Sequence, residues 1–159
     1  MAFCRLKDEL PKTKDDVNYF YSVCPKEDNF FIWDFVMIGP PDTFFAGGIF
    51  RGQLTFSKEY PTRPPKFKFI DNIFHPNVYN DGKVCISILH EGKDVYGYEK
   101  DSERWNPSHS VNSIMMSIIS MLSDPNFESP ANIEASTLWR NNIEAYKNRI
   151  YKIVAKTQE

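Results

Sequence analysis

FHPNVYNDGKVCISIL, residues 74–89, is the stretch around which this 159-residue chain is organised. The Asn-Asp-Gly triplet at its centre (80–82) is typical of a tight turn, because these residue types tolerate the positive φ that reverses a chain. Such a turn is expected to fold Cys85 back towards Asn77. A thiol beside a side-chain amide suits acyl transfer, since the sulfur can carry the acyl group and the amide can stabilise an oxyanion.

Upstream of this stretch, the sequence predicts one short helix and then strands. The helix is placed at residues 3–10, and Pro11 is expected to end it. Alternating residues predict four strands, at 17–23, 30–38, 49–56 and 66–70. Residues 25–29 are predicted to be a loop, and the proline-rich segment 61–65 a connector, because proline gives a sheet no donor. Strands that follow one another through short turns favour an antiparallel meander.

Downstream, the apolar period changes to that of a helix. Apolar residues recur every three or four positions over 111–122, with Ser110 placed to cap the start and an Asp-Pro pair at 124–125 to close the end. Two further helices are predicted at residues 131–139 and 143–153. Strands followed by helices predict an α+β fold, and the length favours a single domain over residues 1–159.

Composition limits the possible functions. The formal net charge of −2 argues against nucleic acid or an anionic membrane as the main partner. No apolar run is long enough for a membrane span, and the N-terminus lacks the apolar centre of a signal peptide. Cys4, Cys24 and Cys85 are far apart and form no metal-binding pattern, so no metal site is expected. We predict a reduced, cytoplasmic protein in which Cys4 and Cys24 have no chemical role.

The chain resembles the ubiquitin-conjugating enzymes over nearly its whole length. The matching motifs stand in the family's order: Trp33, GPPDT at 39–43, Gly47-Gly48, Phe56, YPTRPP at 60–65, HPN at 75–77, Asp81-Gly82, CISIL at 85–89, WNP at 105–107 and DPN at 124–126. Two further segments are similar to sequences of the G-type subclass: ISILH at 86–90, after Cys85, and YGYE at 96–99, before Trp105. Members of this subclass carry an acidic insertion beside the active cysteine.

The resemblance implies a conjugating-enzyme fold and a two-step transfer. Cys85 would accept ubiquitin as a thioester from the ubiquitin-activating enzyme and pass it to a lysine of a substrate or of another ubiquitin. A RING-type ligase would hold the complex, and the chains built would be of the degradation type. Because the activating enzyme uses the ATP, no cofactor is expected on this chain. Recruitment to the endoplasmic reticulum surface or the nucleus would depend on partners.

Several roles at the active cysteine follow from the resemblance. Asn77 would donate to the oxyanion or would brace its loop through backbone carbonyls, and both roles stay open. His75, Pro76 and Trp105 are taken as structural parts of the motifs.

The incoming lysine must lose a proton, and acidic or polar groups near the thiol would help it to do so. Where the wider family has two aspartates, this chain has Ser87 and Ser129. The candidates for this role are therefore His90, Glu128 and acids of the insertion such as Asp94. The alternative for these acids is a solvated loop face.

The ligase would contact Arg5, Thr62, Pro107 and Ser108, which match the family's first helix and two loops.

Two other classes of protein compete with this interpretation. A variant that only binds ubiquitin would lack the cysteine, which is present here. A cysteine hydrolase would pair Cys85 with His75, His90 or His109, and its base would need a third group to orient it. The sequence shows no signature of such a group.

Overall fold

The computed structural model describes residues 1–14 and 20–159 and has an α+β fold. Its elements, in chain order, are α1 (Ala2–Lys12), β1 (Tyr21–Lys26), β2 (Asn29–Ile38), β3 (Ile49–Thr55), β4 (Lys66–Phe69), a 3₁₀ turn (Ser87–Leu89), α2 (Val111–Ser123), α3 (Ile133–Asn141) and α4 (Ile143–Thr157). The N-terminal helix, the four strands and the C-terminal helices confirm the predicted fold class.

The four strands form one antiparallel sheet in the order β1-β2-β3-β4. Along β2, Trp33, Phe35 and Met37 are buried at alternate positions, as expected for a strand with one face on the core. Sequential order with antiparallel pairing confirms the predicted meander.

Helix α2 lies in the hydrophobic core together with the buried face of the sheet. The residues at the predicted helical spacing are all buried: Val111, Ile114, Met115, Ile118, Ile119 and Leu122. Met121 is buried in addition. Ser110 caps the helix as predicted, since its hydroxyl accepts a bond from the Ser113 N–H at 3.1 Å. Full burial of each large apolar side chain contributes about 1.5–3 kcal/mol. Burial of these side chains therefore holds α2 firmly in the core.

Helix α1 is joined to α2 through a buried carboxylate. Glu9 is 3% exposed, and its Oε1 accepts the N–H of Val111, the first residue of α2, at 2.8 Å. Its other oxygen accepts bonds from the Tyr60 hydroxyl and from Arg5 Nε. The first N–H groups of a helix have no partner within the helix, so Glu9 satisfies one of them from outside.

Some predicted boundaries were wrong. Helix α1 continues through Pro11 to Lys12. Because only Lys12 follows it in the helix, Pro11 removes one backbone bond near the end rather than interrupting a longer run, and the Thr13 N–H then closes the helix on the Leu10 carbonyl. Strand β1 continues through Pro25 to Lys26, which shortens the predicted loop. Proline is tolerated there because β1 is an edge strand.

The other differences are smaller. The first half of the predicted strand 17–23, including Val17 and Tyr19, lies outside the described residues. Helix α3 begins at Ile133 rather than 131, because the Asn132 side chain caps it by accepting the Ala135 N–H.

Candidate active site

A tight turn presents Cys85 to the surface. The Gly82 N–H bonds the Tyr79 carbonyl at 2.9 Å, and Gly82 adopts φ +94°, a conformation that suits glycine. A Cβ at this position would lie 2.0 Å from the Phe69 carbonyl oxygen, so a side chain would also clash. Beyond the turn, the Cys85 N–H donates to the Asn77 carbonyl at 2.8 Å. The predicted turn, and the return of Cys85 to Asn77, are confirmed.

The His75-Pro76 pair is anchored to the helices. His75 is fully buried, with Nε2 2.7 Å from the Met121 carbonyl oxygen and Nδ1 accepting the Asn77 N–H at 3.0 Å. Burial lowers the pKa of His75 to about 4, against a smaller opposite effect of the Met121 carbonyl. The Pro76 carbonyl accepts the Ala131 N–H ahead of α3. Both nitrogens of His75 are used in this anchoring, and the ring is neutral near pH 7.

The Asn77 side chain braces the loop after α2. Its Nδ2 donates to the Asn126 carbonyl at 2.7 Å, and its Oδ1 accepts the Asn126 N–H at 2.8 Å. These bonds are the bracing alternative of the sequence analysis. An amide nitrogen carries two hydrogens, however, so the bond to Asn126 leaves a second one that can serve an oxyanion at Cys85.

The chain between His90 and Trp105 forms a loop, here called the insertion. Its ends meet, since the Trp105 N–H donates to the His90 carbonyl at 3.0 Å. Arg104 organises its interior: Nη2 donates to the Glu91 carbonyl at 2.7 Å and Nε to the Gly92 carbonyl at 2.8 Å. The insertion is thus a closed loop with its own internal bonds.

His90 lies between the thiol and an acid of the insertion. Its Nε2 is 3.9 Å from Cys85 Sγ, and its Nδ1 is 2.9 and 3.1 Å from the two carboxylate oxygens of Glu99. The pKa of His90 is raised by the bond to Cys85 and, to a lesser degree, by Glu99, while burial opposes both. The sequence shows no signature of a group that orients a histidine base, whereas in the fold Glu99 lies in that position beside His90.

A cleft of about 760 Å³ opens beside Cys85. Its walls include all five predicted catalytic candidates: Asn77, Cys85, His90, Asp94 and Glu128. Ser87 and Ser129, which replace the family's aspartates, also line it. Cys4 and Cys24 are exposed and are not part of these walls.

The two acidic candidates differ in their surroundings. The Asp94 carboxylate accepts the backbone N–H groups of Tyr96 and Glu99 at 2.9 and 2.8 Å, and these bonds lower its pKa. A carboxylate held in its ionised form in this way is a weak base, and its bonds shape the insertion. Glu128 is exposed and follows the Asn126 turn, so its carboxylate can face the solvent side of the cleft.

Hydrogen bonds connect helix α1 and the two loops that carry the predicted ligase-binding residues. Arg5 of α1 donates to the Pro107 carbonyl at 3.0 Å, and Ser108 is the next residue. Trp105 is buried, and its Nε1 donates at 2.9 Å to the carbonyl of Pro61, which precedes Thr62. Thr62, Pro107 and Ser108 are exposed, whereas the Arg5 guanidinium is partly occupied by its internal bonds.

The sequence did not point to Arg104 or Tyr79, and it offered Glu99 only as one of several acids of the insertion that could act on the lysine. Glu99 and Arg104 belong to the insertion, and their roles depend on how that loop closes. Tyr79 precedes the turn, and the nearby charge of Cys85 raises the pKa of its hydroxyl. Glu99 also stands in the YGYE run, residues 96–99, which resembles the G-type subclass.

Within residues 1–14 and 20–159, no cluster of three or more His, Cys, Asp or Glu side chains is placed to hold a metal ion. Over the same residues, no helix has both the length and the apolar character that crossing a bilayer requires.

Comparison with known proteins gives consistent results. A family model described as ubiquitin-conjugating enzyme matches residues 5–154. The chain is 51% identical over 147 residues to ubiquitin-conjugating enzyme E2 7 of Arabidopsis thaliana, covering 92% of this chain and 89% of that protein. It is 48% identical over 132 residues to ubiquitin-conjugating enzyme E2 G2 of Homo sapiens, covering 82% and 80% of the two chains.

Proposed function

The chain belongs to the ubiquitin-conjugating enzyme family, whose members transfer ubiquitin through a cysteine thioester, and we propose that Cys85 is the cysteine that carries it. One observation carries the assignment: Cys85 is the free thiol that lines the cleft, beside Asn77 and His90. A thiol at the head of a tight turn is accessible to a large partner, which a buried one would not be.

The reaction follows in two steps. In charging, Cys85 Sγ attacks the thioester carbonyl that links ubiquitin to the activating enzyme, and the activating enzyme's thiol leaves. In discharge, a lysine amine attacks the new thioester and Cys85 leaves as a thiol. The second hydrogen of Asn77 Nδ2 stabilises the oxyanion of this step, while the first holds the loop at Asn126.

His90, Asp94 and Glu128 act on the incoming lysine. All three line the cleft, so an amine that reaches Cys85 passes them. His90 and Glu128 take up or relay the amine's proton. Asp94 attracts the ammonium form, because backbone bonds keep its carboxylate charged.

A RING-type ligase binds the surface formed by Arg5, Thr62, Pro107 and Ser108. The support is that Thr62, Pro107 and Ser108 are exposed and that Arg5 bonds the loop that carries Pro107 and Ser108. Through the Trp105–Pro61 bond, this surface is continuous with the base of the insertion.

The proposal also covers the domain organisation, cofactors, products and location of the protein. The chain is a single catalytic domain over residues 1–159, needs no cofactor or metal of its own, and builds degradation-type polyubiquitin chains on protein substrates. It works in the cytoplasm, and partners recruit it to the endoplasmic reticulum surface or the nucleus. The chain type follows from the resemblance of the insertion to that of the G-type subclass.

The test is thioester charging with activating enzyme, ubiquitin and ATP, analysed with and without reductant. We expect a reductant-sensitive adduct on the natural chain and on the double variant Cys4→Ser/Cys24→Ser. Cys85→Ser should give an adduct that resists reductant, because an oxygen ester replaces the thioester. Charging that survives Cys85→Ser in its reductant-sensitive form would contradict the assignment.

Discharge to free lysine then separates the roles around the thiol. Asn77→Ala should leave charging nearly unchanged and slow discharge by about 10²-fold, the usual loss of an oxyanion donor. Glu128→Gln should slow discharge at low lysine concentration without affecting charging. Equal losses in charging and discharge for Asn77→Ala would favour the bracing role alone.

The contacts of His90 favour a second activity, hydrolysis of the thioester. Cys85, His90 and Glu99 have the nucleophile, base and orienting acid that cysteine hydrolases use. Charged protein incubated without amine measures it directly. Loss of the thioester as fast as in the presence of lysine would make the chain a hydrolase, whereas a long-lived thioester is expected of a conjugating enzyme.

A further inference from the structure

The bonds of His90 fix which of its nitrogens faces the thiol. A carboxylate only accepts hydrogen bonds, so the Nδ1 that lies 2.9 Å from Glu99 must carry the hydrogen. In the neutral ring, Nε2 is then an acceptor, and it is this atom that lies 3.9 Å from Cys85 Sγ. The thiol hydrogen therefore has a base within reach, in the tautomer that can receive it.

Glu99 is held in place from two sides. Arg104 Nη1 bonds Glu99 Oε2, and the Glu99 backbone N–H donates to the Asp94 carboxylate at 2.8 Å. The Arg104 side chain is only 13% exposed, compared with 23% for Glu99 and 34% for His90. The exposed fraction of the side chains thus falls from His90 through Glu99 to Arg104. Glu99 is therefore held in place by its partners and not free in solvent.

We propose that His90 takes the proton of the Cys85 thiol when the sulfur accepts ubiquitin, that Glu99 positions His90, and that Arg104 holds Glu99. The inference rests on the proposed function, in which Cys85 is the carrier. It concerns the charging step, whereas the role proposed above for His90 concerns the lysine in discharge.

The step balances without any further reactant. The S–H bond of Cys85 breaks and its proton moves to His90 Nε2, while Sγ forms a bond to the thioester carbonyl carbon. The carbon–sulfur bond to the activating enzyme breaks, and the departing thiolate takes a proton from water. His90 returns its proton to water, and no group is oxidised or reduced.

The surroundings favour a protonated ring. The other charged and titratable groups around the cleft come from three segments: Tyr79 before the turn; Asp94, Tyr96, Tyr98, Glu99, Glu103 and Arg104 in the insertion; and Asp124 and Glu128 after α2. Most are acidic, and the bond to Cys85 together with Glu99 raises the pKa of His90. An imidazolium beside a thiolate is therefore stabilised at the moment of attack.

The test is single-turnover charging from loaded activating enzyme, from about pH 6 to about pH 9, the range over which a histidine and a thiol titrate. The variants are His90→Gln, Glu99→Gln and, as a matched control, Asp101→Asn, an exposed insertion acid that does not line the cleft. We expect His90→Gln to slow charging by about 10²-fold near neutral pH and Glu99→Gln by about 10-fold, the loss typical of an orienting partner.

The pH profile distinguishes proton transfer from a merely structural role. If His90 is the base, the deficit of both variants should shrink as the pH rises, because hydroxide then removes the thiol proton. A deficit of equal size at every pH, or charging at the natural rate, would overturn the inference. If the natural chain forms no adduct on Cys85 at all, the proposed function fails instead, and the two failures are thereby distinguished.

Alkylation of Cys85 by iodoacetamide gives a second readout that needs no partner protein. In a Cys4→Ser/Cys24→Ser background, only Cys85 reacts. We expect His90→Gln and Glu99→Gln to lower the alkylation rate near neutral pH by about 10-fold or more, with Asp101→Asn unchanged. Equal rates in all four proteins with unchanged circular dichroism would also overturn the inference.

Discussion

At the scale of single residues, the site depends on side chains that bond in two directions. His75 ties the turn segment to α2, Asn77 ties it to the loop after α2, and His90 links the thiol to the insertion. His75 and His90 also show how environment assigns roles to one residue type. Burial keeps His75 neutral. For His90, the Cys85 thiol and then Glu99 favour the charged form.

The buried His75 should make the protein sensitive to acid. Its pKa is about 4 in the folded chain and 6.5 in the unfolded one, so between these values the unfolded state alone binds the proton. Stability is then full above about pH 6.5 and falls as the pH drops to 4, by about 3 kcal/mol in total. Urea unfolding at several pH values measures this fall.

The matched variant for this prediction is His75→Gln. It should be less stable than the natural chain near neutral pH, since it loses the bond to Met121, but its stability should change less with acid. Taking the difference between the two proteins removes His90, whose raised pKa acts with the opposite sign. Parallel pH curves for the two proteins would contradict the prediction.

At the scale of elements, local signals were enough where a bond partner lies nearby in the chain. The Asn-Asp-Gly turn, the apolar period of α2 and the Ser110 cap could all be predicted. The predicted boundaries at Pro11 and Pro25 were wrong. A proline ends a helix or strand only where the fold requires a backbone hydrogen bond from that position, and the local sequence does not show this. In the site, Cys85 and Asn77 could be predicted, whereas the Glu99–His90 contact depends on the closure of a loop that no local pattern specifies.

The joint between α1 and α2 provides the prediction at this scale. Glu9→Ala would leave the Val111 N–H and the Tyr60 hydroxyl buried without their acceptor. Such losses cost about 1–3 kcal/mol for each group, so we expect a destabilisation of about 2–6 kcal/mol in urea unfolding. Asp8→Ala, on the exposed side of the same helix, is the control and should change stability by less than about 0.5 kcal/mol. Equal effects would mean that Glu9 does not hold the helices together.

At the scale of the whole molecule, the segment before Cys85 connects most of the fold. The Phe74 carbonyl accepts the Tyr146 hydroxyl of α4 at 2.6 Å, and the Pro76 carbonyl accepts the Ala131 N–H. The buried residues of the sheet and the helices form one cluster, which includes Phe74 and Val78 of this segment. A molecule joined in this way should lose its sheet, its helices and its site together.

Cooperative unfolding is therefore the prediction for the whole chain, and it tests the proposal of a single domain. Its three tryptophans report from β2, from the base of the insertion and from α3, at Trp33, Trp105 and Trp139. Chains that keep one tryptophan, with phenylalanine at the other two positions, should each give a fluorescence midpoint in urea that coincides with its own circular dichroism midpoint. A tryptophan whose transition separates from the loss of secondary structure would show that its region unfolds independently.

The bond from the Trp105 N–H to the His90 carbonyl closes the insertion at its base, so the loop can be replaced as a unit. The chain leaves the fold and returns to it at nearly the same point, so a loop of another length can be closed between the same two residues. Doubling the length of such a loop costs only about 0.6 kcal/mol in closure entropy. Natural selection or protein design can therefore replace the loop by one of another length or sequence. Such a change alters the side chains that face the Cys85 thiol and leaves the sheet and helices that position the thiol unchanged.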